Sequence, residues 1–326
     1  MILEAAILIA SLIALAKSSD VVTDKAIILS DYFGISRMAI GFLLLAGSTS
    51  LPEFSVAVVS SVMGNGAISA GNVFGANIAD ILLILGACAI GYGLVLKKED
   101  ATEILAVLLV TSAIMLYFIY SALILHSPVI ERLEGALLLF AFLFYVYYVM
   151  ASKKFPNLDG RKVAKKEALS AFILFFISIG VVVLSAGLAV DSVTKLSELV
   201  DISRSFLGAT LVSMGTTLPE LSVSLSAARK KEYSLALGNA VGSTIVNLTA
   251  VLGVAAVINP IVILAPSTFL VTLIFAVLAN LILLYIAIRV KKLGRLSGII
   301  LFVVYISFLV VLYIAESQNG LLPAPA

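Results

Sequence analysis

The chain has 326 residues, of which 62% are hydrophobic and only 12% are charged. A soluble domain carries about 25% charged residues, so this chain is too apolar to cover a surface that faces water. Its net charge of +2 offers no basic face for a nucleic acid, and a soluble enzyme and a disordered chain are excluded as well. The apolar runs are continuous and do not alternate as in a membrane β-barrel. We therefore expect an all-α polytopic membrane protein, embedded in the lipid bilayer.

Charge clusters, prolines and glycines divide the chain into ten apolar segments, each long enough to cross a bilayer. Their approximate bounds, in chain order, are 2–20, 38–62, 67–93, 104–125, 130–151, 167–190, 204–228, 233–257, 266–288 and 296–315. The longest hydrophilic stretch follows the fifth segment. The sequence therefore predicts one membrane domain of ten transmembrane helices, in which two five-helix repeats at 1–152 and 167–326 are joined by a cytoplasmic linker at 153–166.

The basic residues predict the orientation. Nearly all Lys and Arg residues fall in the loops after the first, third, fifth, seventh and ninth segments, most densely between Lys153 and Lys166. Such loops stay on the cytoplasmic side. We therefore expect a multi-pass protein of the cell membrane whose N- and C-termini are both extracellular.

A duplication relates the two halves of the chain. In an alignment without gaps, the residues that recur in the second half include Gly41, Thr49, Pro52, Glu53, Gly71, Asn72 and Gly75, which fall on Gly208, Thr216, Pro219, Glu220, Gly238, Asn239 and Gly242. Because each half has five segments, the two copies would enter the membrane from opposite sides. Inverted repeats of this kind are typical of alternating-access transporters, whose substrate site lies near the midplane.

The first repeated motif places a glutamate after a proline deep in an apolar segment. It reads Gly-Ser-Thr-Ser-Leu-Pro-Glu up to Glu53 and Met-Gly-Thr-Thr-Leu-Pro-Glu up to Glu220. Ionisable groups at such depth are functional by default. Pro52 and Pro219 cannot donate a backbone hydrogen bond, so each frees a carbonyl beside hydroxyl groups. These hard oxygens suit Ca²⁺ and Na⁺, and a chain with one His and one Cys is poorly equipped for zinc or copper.

The second repeated motif runs from Gly71 to Asp80 and recurs from Gly238 to Asn247. Its glycines, spaced by four, could serve helix packing alone. Its first asparagine in each copy is either a ligand or a hydrogen-bonding residue between helices. Asp80, which ends the first copy, lies inside an apolar segment, where a lone carboxylate needs a partner.

Three acids lie deep in the predicted segments, namely Glu53, Asp80 and Glu220. Two or three monovalent ions carry roughly as much positive charge into such a cage as one divalent ion does. Replacement of one by the other without a large change in net charge is the electrostatic requirement of antiport.

At these two motifs the chain resembles the cation/Ca²⁺ exchanger superfamily, and most of all the archaeal and bacterial sodium/calcium exchangers. Their repeats carry Gly-Thr-Ser-Leu-Pro-Glu and Gly-Asn-x-x-Gly-Ser-Asn-Ile, and their ten-span layout with outward termini matches the whole chain. The resemblance implies a secondary active antiporter that exchanges Na⁺ for Ca²⁺ by alternating access. It implies no enzyme activity and no cofactor, since both ions are substrates, and we expect a monomeric functional unit.

The resemblance also implies a set of metal ligands. Glu53 and Glu220 would be the central ligands, shared by Ca²⁺ and Na⁺. The others would be Thr49, Thr216, Ser50, Thr217, Ser243, Asp80 and Asn247.

The chain departs from the family pattern at three places. The first motif reads Gly-Ser-Thr-Ser where Gly-Thr-Ser is usual, although the last two residues stay in register. Ala76 stands where the family often has a serine. Asp80 and Asn247 reverse the order of amide and acid that the archaeal exchangers carry. The Gly-Asn-x-x-Glu of the proton-coupled branch does not occur in place of Pro-Glu, which favours Na⁺ over H⁺.

Two alternatives remain open at this point. The transporter could couple Ca²⁺ or another cation to H⁺ or K⁺, or the protein could be a channel that passes Ca²⁺ downhill. An intramembrane protease is disfavoured, because it would need a Ser/His pair or two facing aspartates, and one His with one deep Asp fits neither.

Overall fold

The computed structural model describes residues 2–124, 129–152, 163–198, 215–262, 266–290 and 292–318. Nearly all of them are helical. Most of the linker predicted at 153–166 lies outside the described residues, as do the first residues of the segment predicted at 204–228.

The described ranges contain eleven helices, which follow the apolar segments of the sequence. Those of the first half are α1 (Ile2–Phe33), α2 (Arg37–Thr49), α3 (Leu51–Val62), α4 (Gly66–Gly91), α5 (Lys98–Leu123) and α6 (Arg132–Ser152). Those of the second half are α7 (Lys165–Glu198), α8 (Leu218–Arg229), α9 (Tyr233–Ile258), α10 (Pro266–Tyr285, continued by a π-helical turn at Ile286–Val290) and α11 (Arg295–Gln318).

The described residues hold eight helices that are long and apolar enough to cross a membrane, or nine if the interrupted pair α2 and α3 is one span. The all-α, multi-pass character is therefore confirmed. The predicted count of ten is not reached in the described part of the chain. The segment at 204–228 accounts for the difference, because only its end, the 12-residue helix α8, is described there.

The chain forms two compact units. Unit 1 contains Met1–Pro52 and Tyr145–Ser243, and unit 2 contains Glu53–Phe144 and Thr244–Ala326. Each unit draws on both halves of the sequence, so the units are a different division from the predicted repeats.

In unit 1, helix α1 packs along α7 and crosses α8. Two hydroxyl pairs join α1 to α8: Ser19 Oγ donates to Ser222 Oγ at 2.8 Å, and Thr23 Oγ1 to Ser226 Oγ at 3.1 Å. Hydrogen bonds between helices are important in a membrane, because the hydrophobic effect does not drive apolar helices together in lipid.

Helices α2 and α9 approach one another at two glycines of unit 1. A Cβ atom on Gly238 would lie 2.6 Å from the carbonyl oxygen of Met38, and one on Gly41 would lie 2.8 Å from Gly238 Cα. No side chain fits at either position, so glycine is what lets these two backbones touch.

In unit 2, α4 packs against α10 and α11. Phe74 makes edge-to-face contacts with Phe118 and Phe269, at centroid distances of 6.0 and 5.4 Å. On α10, Asn280 Nδ2 lies 2.9 Å from Thr111 Oγ1 on α5 and also 2.9 Å from Ser112 Oγ.

Two short antiparallel strand pairs tie loops of unit 2 together. Strand β1 (Leu94–Val95) pairs with β4 (Lys292–Leu293), and β2 (Val129–Ile130) pairs with β3 (Ile261–Val262). In each pair, one strand follows the third span of a repeat, and its partner lies between the fourth and fifth spans of the other repeat. The two pairings are therefore equivalent under the duplication.

Candidate functional site

Both copies of the first motif interrupt a helix. Helix α2 ends at Thr49 and α3 begins at Leu51, with Ser50 between them at φ −78° and ψ 12°. In the second copy a turn at Thr217 precedes α8. The breaks fall where the prolines remove backbone donors, as the sequence predicts. Each glutamate consequently sits in the first turn of a new helix, where the helix dipole favours negative charge.

All nine predicted ligands are buried. The three acids are at most 1% exposed, although a buried carboxylate is costly unless something compensates its charge. Unit 1 contains Thr49, Ser50, Thr216, Thr217, Glu220 and Ser243, and unit 2 contains Glu53, Asp80 and Asn247.

Unit 1 brings two of the predicted ligands into direct contact. Ser50 Oγ donates to Glu220 Oε1 at 3.2 Å. The second carboxylate oxygen of Glu220 is buried without a hydrogen-bond partner among the described residues, and so is the hydroxyl oxygen of Ser243. Two buried oxygens in unit 1 are thus without the compensation that buried polar atoms normally have.

Asn239 holds the surroundings of Glu220 in place. Its Nδ2 lies 3.3 Å from the backbone oxygen of Glu220 and 3.0 Å from Ser224 Oγ. Its Oδ1 lies 3.3 Å from the hydroxyl of Thr49, which also lies 3.0 Å from the carbonyl oxygen of Leu45. Of the two roles open to this asparagine, the structure supports the hydrogen bond between helices.

In unit 2, the second motif coincides with π-helical turns. A π-helical segment in α4 spans Ala79–Ile84 and contains Asp80, and one in α9 spans Asn247–Val251 and begins with the equivalent Asn247. Such turns insert one residue into an α-helix and often occur at functional sites. The Oδ1 atom of Asn247 is buried with no hydrogen-bond partner in the described part of the chain.

The atoms of the predicted ligands that can bind a cation are all oxygens. The described residues contain no group of three or more His, Cys, Asp and Glu side chains placed to hold a metal ion. Cys88 is a free, buried thiol. Scattered carboxylates supplemented by hydroxyl, amide and carbonyl oxygens suit a hard cation such as Ca²⁺ or Na⁺.

One buried polar residue was missed as a candidate from the sequence. Asn77 is 1% exposed, and neither polar atom of its side chain has a hydrogen-bond partner in the described ranges. Its place in the second motif was the available signal, but the motif alone does not separate an amide that the protein satisfies from one that it does not.

Comparison with known proteins identifies the family. The family model described as sodium/calcium exchanger protein matches residues 3–151 and 170–314. The chain belongs to this family, which is one of transporters.

Individual relatives match over most of their length. Sodium/calcium exchanger MaX1 of Methanosarcina acetivorans is 29% identical over 342 residues, covering 94% of this chain and 97% of its own. Inner membrane protein YrbG of Escherichia coli is 29% identical over 270 residues, covering 80% of this chain and 81% of its own. The sodium-calcium exchanger NCX_Mj, in a structure soaked with zero Na⁺ and Ca²⁺, superposes with a TM-score of 0.82 at 29% identity, covering 94% of this chain and 97% of its own.

The resemblance drawn from the motifs is therefore confirmed. As a member of this family, the chain is an antiporter that exchanges Na⁺ for Ca²⁺. The alternatives of H⁺ or K⁺ coupling and of a channel are not favoured.

Proposed function

We propose that the chain exchanges Na⁺ for Ca²⁺ by alternating access and that nine buried residues bind the transported ions. These are Glu53, Glu220, Asp80, Asn247, Thr49, Thr216, Ser50, Thr217 and Ser243. The observation that carries the proposal is the environment of Glu220, which is 1% exposed and has one carboxylate oxygen without a hydrogen-bond partner among the described residues. A bound cation would compensate this charge, and a hydrogen bond from Ser50 to the other oxygen orients the carboxylate for it.

The electrostatics fit exchange between the two ions. Glu53, Asp80 and Glu220 are all almost completely buried, so a Ca²⁺ ion released from any of these carboxylates must be replaced by other positive charge, because an uncompensated buried carboxylate is costly. Two or three Na⁺ ions meet that requirement. Because each additional Na⁺ needs its own oxygen shell, the hydroxyls and amides around the acids contribute ligands without contributing charge.

We also propose ten transmembrane helices. The two strand pairs support this count through parity, since residues that pair in a strand must lie on the same side of a membrane about 30 Å thick. Between β1 and β4 the chain contains the spans α5, α6, α7, α9 and α10 together with the segment that ends in α8. The number of crossings is even only if that segment crosses too. The pairing of β2 with β3 leads to the same requirement.

The proposed orientation has both termini outside and the linker in the cytoplasm. Its support is the distribution of Lys and Arg, which marks one set of loops as cytoplasmic. A monomer is proposed as the functional unit because a single chain supplies all nine ligands.

Transport into vesicles tests the function. In proteoliposomes loaded with Na⁺, Ca²⁺ uptake should require the outward Na⁺ gradient, and loading with K⁺ or a pH gradient should not replace it. Glu53→Gln and Glu220→Gln each keep the size of the side chain and remove its charge, so both should abolish uptake.

The matched control is Glu131→Gln, because Glu131 is an exposed glutamate outside the ligand set and should tolerate the same change. Uptake that persists in both buried variants would contradict the ligand assignment. Uptake by the wild type without any Na⁺ gradient would contradict antiport itself.

A further inference from the structure

Asn77 lies in the middle of α4 and is not one of the nine ligands. Only 1% of it is exposed, and both Oδ1 and Nδ2 are buried without a hydrogen-bond partner within the described residues. The large majority of buried side-chain amides do have partners, so an amide with both ends unsatisfied calls for a physical reason.

Two other buried asparagines show how this protein uses the amide nitrogen. Asn239 uses its amide nitrogen on two acceptors and its oxygen on a hydroxyl donor. Asn280 donates from its nitrogen to two hydroxyls on α5, although its Oδ1 has no hydrogen-bond partner among the described residues. A structural asparagine in this fold therefore bridges helices with its nitrogen, and Asn77 does not.

The position of Asn77 points to the cation ligands of unit 2. It precedes Asp80 by three residues on one helix, and residues at that spacing are neighbours on the helix surface. Helix α4 also contacts the π-helical segment of α9 that begins with Asn247, whose Oδ1 likewise has no hydrogen-bond partner in the described part of the chain. The unsatisfied amide therefore lies on the helix that carries Asp80, and this helix contacts the segment that carries Asn247.

The internal repeat shows which hydroxyl the first copy lacks. The second copy has Ser243 and Thr244 where the first copy has Ala76 and Asn77. The hydroxyl that Ser243 supplies is thus missing at Ala76, whereas Asn77 is the asparagine that the family motif also carries after its serine. We propose that Asn77 is a further cation ligand, whose Oδ1 binds Na⁺ on a helix that offers no hydroxyl at position 76.

This assignment rests on the proposed function and names the ion that the residue serves. Ca²⁺ affinity follows chiefly from the charge of the carboxylates. Two or three Na⁺ ions need more ligand oxygens than one Ca²⁺ at about the same total charge. A neutral amide oxygen supplies an additional ligand without additional charge, so its loss should weaken Na⁺ binding much more than Ca²⁺ binding.

Calorimetric titration of the purified full-length protein with NaCl and, separately, with CaCl2 tests the assignment. Asn77→Ala should raise the dissociation constant for Na⁺ about tenfold and change that for Ca²⁺ by less than about threefold. The double substitution Ala76→Ser with Asn77→Thr copies the second repeat and should return Na⁺ binding to within about threefold of the wild type. Asn280→Ala is the matched control, a buried asparagine of the same unit away from the ligands, and should leave both dissociation constants unchanged.

The results separate this assignment from the function on which it rests. Wild-type Na⁺ affinity in Asn77→Ala, or an equal loss for Na⁺ and Ca²⁺, would overturn the assignment while leaving the exchanger intact. If Asn77→Ala does not purify as a folded protein, Asn77→Thr alone keeps a polar side chain, and the same selective loss of Na⁺ affinity is expected. A wild type that binds neither ion would overturn the proposed function itself.

Discussion

Ser50 donates a hydrogen bond to Glu220, with 3.2 Å between Oγ and Oε1. The donor stands at the helix break of one repeat and the acceptor in the first turn after the break of the other. A hydroxyl that gives its proton to a carboxylate keeps its lone pairs for a cation, so this pair can orient the acid and still serve as a ligand.

We therefore expect the hydroxyl of Ser50 to contribute to Ca²⁺ binding. Ser50→Ala removes a charge-assisted hydrogen bond of about 1.5–3 kcal/mol, so the Ca²⁺ concentration for half-maximal uptake should rise at least about tenfold. Ser50→Thr retains the hydroxyl and serves as the control. Equal Ca²⁺ dependence of the alanine and threonine variants would show that the hydroxyl has no such role.

Asn239 should matter for stability, because its side chain forms hydrogen bonds with three neighbouring residues. Asn239→Ala leaves the buried hydroxyl of Ser224 without a bond, and we expect unit 1 to lose about 1–3 kcal/mol. Thermal unfolding in detergent measures the loss. Asn259→Ala breaks only one long bond of 3.4 Å, to the carbonyl oxygen of Ser61, and should lower the unfolding temperature much less.

The glycine contact between α2 and α9 offers a test with its own internal control. Gly238→Ala would place a Cβ 2.6 Å from the backbone oxygen of Met38, and we expect a loss of several kcal/mol or no folded protein. Gly71 is the equivalent residue of the first repeat, and no described atom lies within 4 Å of its Cβ position. Gly71→Ala should therefore be tolerated, as seen in the yield of monodisperse protein. Equal tolerance of both changes would argue against a tight contact.

The ion pairs at the end of the α1–α8 contact should differ in strength. Asp20 accepts hydrogen bonds from Ser226 at 2.7 Å and from Arg229 at 2.5 Å, whereas Asp24 is bound by Lys230 alone and is 55% exposed. Exposed pairs contribute about 0–1 kcal/mol, so Asp24→Asn should change stability little. Asp20→Asn should lower the unfolding temperature clearly, because it removes the charge that pairs with Arg229 and leaves the hydrogen bond from Ser226 with a neutral acceptor. An effect of Asp24→Asn as large as that of Asp20→Asn would contradict this ranking.

Cysteine labelling tests the ten-helix topology. In a Cys88→Ala background, single cysteines at Val95 and Lys292, which pair across β1 and β4, should react with a membrane-impermeant maleimide only after the cells are permeabilised. A cysteine at Val262 in β3, which is 49% exposed, should react in intact cells. Labelling of Val262 and Val95 from the same side would contradict the count and the orientation.

The sequence was sufficient for features that follow from one residue's own chemistry. The helix break at Ser50 was predictable because Pro52 lacks a backbone donor whatever surrounds it. The burial of Glu53 and Glu220 followed from their depth in apolar segments. The equivalence of Asp80 and Asn247 followed from the duplication, and both lie in π-helical turns.

Features that depend on the neighbours of a residue were not predictable. The sequence offers no means of telling the satisfied amide of Asn239 from the unsatisfied amide of Asn77, because the difference lies in which atoms of other helices come within 3.5 Å. The two-residue strands are too short to leave a periodic pattern. The division into compact units was also missed. Sequence similarity defines the repeats, whereas the units depend on which segments pack together in the fold.

The π-helical turns at Asp80 and Asn247 carry a consequence for the ancestry of the protein. They end at Ile84 and Val251, which are equivalent residues of the two repeats. An irregularity shared at the same place by both copies is most simply inherited, so the extra residue was present in the single ancestral half before the gene duplicated. What changed afterwards was the side chain that the turn presents, an aspartate in one descendant and an asparagine in the other.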